Sequence, residues 1–392
     1  MTAAFPSRRP RLVLLGAGCA GLSLAYRLAR ATPCLDVLLV EARTDYIHDR
    51  TWSGFHLAPH PFEDCRMGKW QQLEVKGCDT HTRLDCGRYF YESIHSGHFY
   101  QQCLATLDAA PNVHRLHARV KRLVSARNPP GVVLENGDIL HGDWIVDTLP
   151  RPVPLKAPWR WQDFAGWELE SPELARQPPV LMDFSVTAAE PANGALDFIY
   201  RLPFSDNRVL LEWTRFGRPA TNPLELEQNL KRYLDRSGIS DYRLVRREYG
   251  SLPMAPGRRS TQQHHVLAGS YGGAMRASTG YAFHAIQRWA DLCTQQLLKG
   301  NGPTAPHTSA FLRPLDAIFM QALEHTGDDA HELYTTLFQH CRGEPLVRFL
   351  SGLPAPQDYA SIMAALPTTT MLKAAWQSAL QRLPSLPTLR PR

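Results

Sequence analysis

The chain has 392 residues, 44% hydrophobic and 20% charged, so it is a globular protein long enough for about two or three domains and is not a disordered one. Its 43 Lys and Arg against 37 Asp and Glu give a net charge of +6 without a block of like charges, which does not indicate a nucleic-acid partner. The eight cysteines form no C-x-x-C pair and no metal-type cluster with histidine, so we expect reduced thiols in the cytosol and no metal site.

A nucleotide-binding pattern begins with the first predicted strand. An apolar strand enters a glycine-rich turn and a helix, and a second strand ends in an acid; the residues are Leu12–Leu15, Gly16, Gly18, Gly21, Asp36–Val40 and Glu41. The first glycine permits a tight turn, the second lets a pyrophosphate approach the backbone, and the third allows close packing of helix on strand. Glu41 suits a ribose hydroxyl, which favours FAD or NAD(H), while Arg43 leaves NADP(H) open.

Short strand-like runs recur through the middle of the chain, separated by prolines and by Asn-Gly turn signals at 136–137 and 193–194. The stretch Gly87–Ile94, GRYFYESI, has an aromatic alternation that fits either a strand or a packed edge. These runs predict an α+β middle layer. The other predicted strands are Val113–Leu116, Val132–Leu134, Trp144–Val146, Val180–Val186, Leu196–Leu202 and Arg208–Thr214.

The last of these strands carries a glutamate, Glu212, directly after Val209-Leu210-Leu211. Glutamate is a poor strand former and is seldom fully buried unless it is paired. Because side chains alternate between the two faces of a strand, Leu211 can point to a core while Glu212 points to water. Spacing alone therefore favours a solvated Glu212 and leaves open whether the residue has a chemical role.

A second glycine cluster lies in Val266–Ala290, which again has the order strand, glycine-rich turn and helix. In flavoproteins a late strand returns to the nucleotide domain and its turn lies against the flavin, so two such clusters favour an FAD enzyme over a simple NAD dehydrogenase. An ordinary strand-to-helix turn, with only packing reasons for its glycines, remains open. The glycines are Gly269, Gly272, Gly273 and Gly280.

The chain becomes helical after Asn301-Gly302-Pro303. Apolar residues repeat on one face, and such a stripe is typical of core packing or of an interfacial helix; they are Phe311, Leu315, Ile318, Phe319 and Ala322. Further helical segments are predicted at Leu333–Cys341, Pro345–Leu350, Tyr359–Leu366 and Met371–Leu383. No segment offers about 18 to 20 uninterrupted apolar residues, so no transmembrane helix is expected.

Nine stretches together resemble the bacterial type of lycopene β-cyclase, an FAD-containing relative of the glutathione-reductase-like flavoproteins. They occur in the family's order and cover nearly the whole chain, which is more specific than any one of them. In chain order they are LLGAGCAGLSLAYRL, RTWSGFH, YESIHSGHF, FAGWELE, VLMDFSV, FIYRLPFSDNRVLLEWT, YGSLPM, GGAMRASTGY and RFLSG.

The resemblance implies an α/β (α+β) fold with three parts: a discontinuous FAD-binding Rossmann domain at 1–155 and 245–300, a β-rich substrate domain at 156–244, and a helical region at 301–392. It places Glu212 at the acid that the family requires for cyclisation. The implied cofactor-binding residues are Gly16, Gly18, Gly21, Glu41, Arg50, Gly269, Gly272, Gly273, Thr279 and Gly280. Aromatic residues expected at the substrate cavity are Trp52, Phe55, Trp213 and Tyr281.

The resemblance also implies the reaction. A linear carotenoid such as lycopene would be cyclised by an isomerase that needs reduced FAD, with NADPH or NADH as reductant and an unidentified reductase. The enzyme would be cytoplasmic and peripherally bound to the inner face of the membrane, with Lys373, Arg382, Arg390 and Arg392 near the contact surface. A flavin monooxygenase, a cyclase of another isoprenoid, and a polyene-binding flavoprotein without activity are the alternatives.

Three departures from the family pattern put the exact substrate in doubt. Trp213 replaces the second acid of the motif that contains Glu212, and Arg276 opens the segment that reads H-P-x-T-G-Y in the family. An acid-x-Arg-Gly turn of the family reads Asp147-Thr148-Leu149-Pro150 here. The fold inference does not depend on these positions.

Overall fold

The computed structural model describes residues 11–31, 35–124, 129–151, 154–186 and 194–381. Within these ranges the chain forms eighteen strands and ten α-helices. The strands are β1 Arg11–Leu15, β2 Asp36–Glu41, β3 Thr51–His56, β4 Arg66–Trp70, β5 Gln72–Lys76, β6 His81–Asp85, β7 Phe90–His95, β8 Val113–His117, β9 Val120–Val124, β10 Gly131–Leu134, β11 Ile139–His141, β12 Trp144–Asp147, β13 Arg160–Glu170, β14 Val180–Asp183, β15 Leu196–Pro203, β16 Arg208–Gly217, β17 Arg243–Met254 and β18 His265–Leu267. The helices are α1 Cys19–Arg30, α2 Ser96–Asp108, α3 Pro172–Ala175, α4 Pro223–Arg236, α5 Phe283–Leu298, α6 Leu312–Thr326, α7 Ala330–His340, α8 Glu344–Leu350, α9 Pro356–Ala365 and α10 Thr368–Leu380.

Five parallel strands form the nucleotide-type sheet, in the order β18-β12-β1-β2-β8. The sequence of β1 is almost wholly apolar because both faces of the strand are covered. Leu12 and Leu14 pack against helices α1, α2 and α5, whereas Val13 and Leu15 pack against the small β9–β11 sheet. The predicted α/β class with a Rossmann-like domain is confirmed.

The second glycine cluster returns to this sheet. Strand β18 pairs with β12 in parallel, with Val266 opposite Val146, and leads through a turn at Ser270–Ala274 to helix α5. Helix α5 contributes to the same core as α1. The chain therefore comes back to the nucleotide-type domain about 120 residues after β12, as its order of strand, turn and helix predicts.

A seven-stranded sheet, in the order β17-β13-β16-β15-β14-β5-β6, forms the second layer of the molecule. Its strands are antiparallel except for β14 and β5, which run parallel. The sheet also includes β5, β6 and most of β17, which lie outside the 156–244 range expected for the substrate domain. The reason is that β5 pairs with β14, more than 100 residues away, and local sequence signals carry no information about such a partner.

Alternation along β16 gives the sheet two different apolar faces. Val209, Leu211 and Trp213 pack against α3 and α4. Leu210 and Phe216 belong to the larger core that contains the C-terminal helices α6 to α10. The sheet is thus covered on both sides, and the middle of the second face packs against the C-terminal helices.

Several shorter segments singled out in the sequence also have defined positions in the fold. The stretch Gly87–Ile94 contributes β7, the central strand of a β3-β7-β4 sheet, and the turn at 136–137 joins β10 to β11, while Asn193 of the other turn lies outside the described residues. Within the described residues helices form at the predicted C-terminal segments, whereas Arg382 and Leu383 of the last segment lie outside them. Phe311 precedes α6 and is 76% exposed, so it is not part of the buried stripe. The seven described cysteines are free, and Cys34 lies outside the described ranges. No helix among the described residues has the length and apolar character to cross a bilayer.

Candidate active site

Glu212 lies on the inner face of β16, the face that packs towards the C-terminal helices. Leu210 and Phe216 are on the same face, whereas Trp213 points to the other side of the sheet. Glu212 is half-buried on a face that the C-terminal helices cover, so the surface that remains open faces interior space. The solvated position that spacing alone favours is therefore not the one that the residue occupies.

The surroundings of Glu212 favour its protonated form. Burial, with a smaller contribution from the negative charge of Glu248, raises the pKa of Glu212 to about 8; a hydrogen bond from Thr214 and the charge of Arg246 oppose the shift. The Thr214 hydroxyl donates to Glu212 Oε1 over 2.9 Å. A carboxyl that keeps its proton at neutral pH can act as a general acid.

Tyrosines form the part of the site next to Glu212. Tyr200 is the cross-strand partner of Glu212 on β15, and Tyr91 and Tyr281 hydrogen-bond to each other nearby. Burial raises the pKa of all three phenols well above the usual range, so they stay neutral. Neutral aromatic rings present negative π faces, which attract a nearby cation.

An apolar cavity starts at these tyrosines and extends between the sheet and the C-terminal helices. The space between these walls measures about 700 Å³, part of which is open to solvent. Tyr200 and Phe216 contribute from the sheet, Tyr281 from the segment before α5, and most of the other wall residues are aliphatic or aromatic side chains of α6 to α10. Such a wall fits an apolar ligand and offers few polar groups.

The first glycine turn has the geometry of a nucleotide site. Gly16 has a positive φ of 92°, and a Cβ atom on Gly21 would lie 1.9 Å from the carbonyl oxygen of Gly16, so both positions require glycine. A Cβ atom on Gly18 would meet no atom within 4 Å. The open space at Gly18, at the N-terminus of α1, is where a pyrophosphate fits. The Glu41 carboxylate accepts the Ala17 backbone N–H over 2.7 Å, which places this acid beside the turn.

The second glycine turn is equally close-packed. Gly269 and Gly273 have positive φ angles of 69° and 96°, and a Cβ atom on Gly272 would lie 2.5 Å from the backbone of Leu267. Gly280, with a φ of 72°, lets Gln162 approach; a Cβ atom there would lie 2.3 Å from Gln162 Oε1. That buried amide oxygen has no hydrogen-bond partner within the described protein, so it is available to a ligand at this turn.

Comparison with known proteins identifies the family. A model of the family described as "Lycopene cyclase protein" matches residues 11–376. The chain belongs to the lycopene cyclase family. It is 27% identical to a curated lycopene beta-cyclase from Pseudescherichia vulneris over 95% of this chain and 98% of the relative.

Solved structures support the same fold for this cyclase-family chain. A geranylgeranyl bacteriochlorophyll reductase-like protein from Thermoplasma acidophilum is 12% identical, with a TM-score of 0.60 over 95% of this chain and 97% of that chain. A flavin-dependent halogenase from Xanthomonas campestris is 13% identical, with a TM-score of 0.55 over 96% of each chain. At these identities the likeness concerns the fold, which is that of a flavoprotein.

The four aromatic residues expected at the cavity of this cyclase-family protein lie in different places. Tyr281 lines the cavity, and Phe55 packs behind it, with ring centroids 5.6 Å apart. Trp52 instead stacks on Phe283 in the core of the nucleotide-type domain. Trp213 lies on the far face of the sheet, where its indole donates to Asp197, so strand alternation keeps it away from Glu212.

Two of the expected cofactor-binding residues do not lie at either glycine turn. Thr279 lines the cavity and donates its hydroxyl to the Leu350 carbonyl over 3.4 Å. Arg50 is exposed just before β3 and donates to the Tyr249 carbonyl over 3.5 Å, beside the edge of the seven-stranded sheet. The structure therefore brings Arg50 to the boundary between the two sheets and not to the Gly16 turn.

Several groups at the site were missed by sequence reasoning. Arg276, noted only as a departure, is buried in the cavity wall and pairs with Asp316 over 2.9 Å. Glu248 and Tyr200 lie beside Glu212 because of strand register, which no local motif specifies. The one available signal for Glu248 was its position next to the quoted YGSLPM stretch.

A histidine-carboxylate cluster near α5 was also missed. Ligand atoms of His56, His60 and Glu92 lie within 4.8 Å of one another. The Nδ1 atom of His60 accepts the Phe62 backbone N–H, so its Nε2 atom carries a proton and donates to Glu92 Oε1 over 2.8 Å. A protonated nitrogen cannot bind a metal, and this cluster is accordingly a hydrogen-bonded network.

Proposed function

We propose that the protein is an FAD-dependent lycopene β-cyclase, an isomerase that converts the ψ-ends of a linear carotenoid to β-ionone rings. The observation that supports this most directly is Glu212, a carboxyl with a raised pKa of about 8 whose cross-strand partner Tyr200 lines an apolar cavity. A polyene hydrocarbon offers no polar group, so a cyclisation that leaves its composition unchanged begins with protonation of a double bond. The cavity and the acid supply the two requirements of that step.

In this proposal Glu212 is the general acid. Since Thr214 donates to Oε1, the proton is carried on Oε2 and is delivered to C2 of the terminal C1=C2 bond. The resulting tertiary cation at C1 is attacked by the C5=C6 bond, which forms the C1–C6 bond. Loss of a proton from C6 then completes the β-ring. Tyr200 and Tyr281 face the cavity and would stabilise the cation by about 0.5–2 kcal/mol each.

We propose that FAD is held by the two glycine turns, with its pyrophosphate at Gly18 and its ribose at Glu41. Gly269, Gly272, Gly273 and Gly280 would let the backbone approach the flavin closely. When bound and reduced, the flavin supplies negative charge in a dry site, with NADPH or NADH as the source of electrons. The residues of the chain would exclude water and hold the proton at Glu212.

The proposed activity predicts an unchanged product mass. Protonation and deprotonation balance, so product and substrate should have equal mass in ordinary water, and one deuteron per ring should appear at C2 in deuterated water. The reaction should require reduced flavin and proceed under anaerobic conditions. The purified protein is incubated with lycopene; mass spectrometry then gives the mass of the pigment formed, and NMR gives the position of the deuteron. A product heavier by one oxygen atom, or a strict need for O₂, would identify a monooxygenase.

We further propose a cytoplasmic protein peripherally bound to the membrane, because a long polyene dissolves in lipid and not in water. The helices that line the cavity with Leu366 and Met371 also carry exposed apolar side chains. Trp376 is 69% exposed and Leu372 65% exposed, and Lys373 lies between them. An apolar patch with a nearby cation is typical of an interfacial surface. Arg382, Arg390 and Arg392 lie outside the described residues.

The double variant Leu372→Ser with Trp376→Ser is expected to lose most of its binding to anionic liposomes, because it removes the largest exposed apolar side chains of α10. Liposome flotation measures the bound fraction. Leu292→Ser is the matched control, since Leu292 is exposed on α5 and not on the C-terminal helices. Equal binding by the double variant and the wild type would place the contact surface elsewhere.

A further inference from the structure

A second carboxylate lies in line with Glu212 across the seven-stranded sheet. In the pairing of β16 with β13, Glu212 is opposite Gly166, and in the pairing of β13 with β17, Gly166 is opposite Glu248. Residues in direct register point to the same face of a sheet. Glu212 and Glu248 thus flank a glycine on the face that looks into the protein.

Gly166 makes room for the side chain of Glu248. A Cβ atom at Gly166 would lie 2.9 Å from Glu248 Cγ and 3.2 Å from Glu248 Oε1. The chain of Glu248 therefore crosses the middle strand over the glycine, in the direction of Glu212. Any larger residue at this position would have to push it away.

The two oxygens of Glu248 have different environments. Oε2 accepts a hydrogen bond from Arg246 over 2.8 Å. Oε1 is buried and has no hydrogen-bond partner among the described residues. Because the whole residue is only 3% exposed, water does not reach this oxygen freely either. An unsatisfied buried carboxylate oxygen is costly, and its presence next to a reactive acid indicates a role there.

The charges that face this pair come from several strands. Arg246 is shared between Glu248 and Glu168, and Glu168 also pairs with Arg208 over 3.1 Å. His48 approaches the same Glu168 carboxylate at 3.6 Å. The groups on the other sides of Glu212 are the neutral phenols of Tyr91, Tyr200 and Tyr281. Glu248 is therefore the negative charge nearest to Glu212 in this network.

We infer that Glu248 is a positioning residue whose carboxylate, laid across Gly166, keeps the proton on Glu212. This rests on the proposed function only in that Glu212 is taken as the acid. The physical reason is that a second carboxylate nearby makes ionisation of the first less favourable. Arg246, held between two carboxylates, fixes the charge of Glu248 in place.

The inference predicts a change of pH dependence in Glu248→Gln. Cyclisation needs protonated Glu212, so wild-type kcat/KM should fall as pH rises through about 8. Removing the charge of Glu248 favours ionised Glu212, and the alkaline limb should move to lower pH by about one unit. Glu248→Asp keeps the charge but draws it back by one methylene group, so its limb should lie between those of Glu248→Gln and the wild type. Glu170→Gln, on the same sheet but paired with Arg208 and Arg243, is the matched control and should leave the limb unchanged.

An infrared titration separates this inference from the proposed activity. The carbonyl band of protonated Glu212, assigned by its loss in Glu212→Gln, is followed against pH in the flavin-loaded full-length protein. Its midpoint should be lower in Glu248→Gln and also in Gly166→Ala, which retains every charge but displaces Glu248. An unchanged midpoint in either folded variant would overturn the inference. A lowered midpoint in a protein that cyclises nothing would leave the inference standing and remove the proposed function instead.

Discussion

Glu212→Gln is expected to lower the rate of cyclisation at least ~100-fold, the lower range for the loss of a general acid. The amide has the same shape as the carboxyl and can still accept the hydrogen bond from Thr214, so the fold and the flavin absorption should not change. It cannot give a proton to a double bond. Rates measured with lycopene in detergent or liposomes, under reducing conditions, test this.

Two further variants make the result specific. Glu212→Asp retains an acid on a shorter side chain and should keep part of the activity. Glu170→Gln removes a carboxylate from the same sheet outside the cavity and should behave like the wild type. Turnover at the wild-type rate by Glu212→Gln would return Glu212 to a structural role on its strand.

Gly18→Val is expected to abolish flavin binding in a protein that still folds. A Cβ atom at this position would meet no protein atom within 4 Å, and the φ of −82° at Gly18 is allowed for any residue. The new methyl groups would instead fill the space in which we place the pyrophosphate. Flavin content after reconstitution with FAD, together with the thermal unfolding temperature without FAD, gives the two readouts.

Gly21→Val is the informative contrast. Its Cβ atom would lie 1.9 Å from the Gly16 carbonyl oxygen, so this variant should be destabilised even in the absence of cofactor. A folded Gly18→Val protein with a full flavin spectrum would contradict the assignment of the turn. Equal unfolding temperatures for Gly21→Val and wild type would contradict the packing argument.

The nucleotide-type domain could be predicted from sequence because its signals are local. Strand, glycines, helix and terminal acid follow one another within about 30 residues, and the structure places them in that order. Local signals do not determine which face of the sheet Glu212 occupies. Alternation along β16 permits either face, and the outcome depends on the C-terminal helices, which cover the face of Leu210 and Phe216. Only the family resemblance, which compares the whole chain, predicts that Glu212 faces the interior.

The same limit explains what sequence reasoning missed. Trp213 was grouped with Glu212 because the two are adjacent in the motif, but neighbours on a strand face opposite sides. Tyr200 and Glu248, which are 12 and 36 residues from Glu212 in the chain, lie beside it through strand register. Register is set by packing on both faces and by turns, so a single sequence does not reveal it.

The late pairing of β18 with β12 also has a consequence for synthesis of the protein on the ribosome. Until residue 267 has emerged, β12 is an open edge of the five-stranded sheet. In the same way, β5 lacks its partner β14 until synthesis has passed residue 180. Open strand edges invite pairing with other chains. We therefore expect nascent chains truncated before β18 to be recognised by chaperones and to aggregate when overproduced. The FAD site that we propose uses both glycine turns, so it would be complete only after roughly two thirds of the polypeptide has been made.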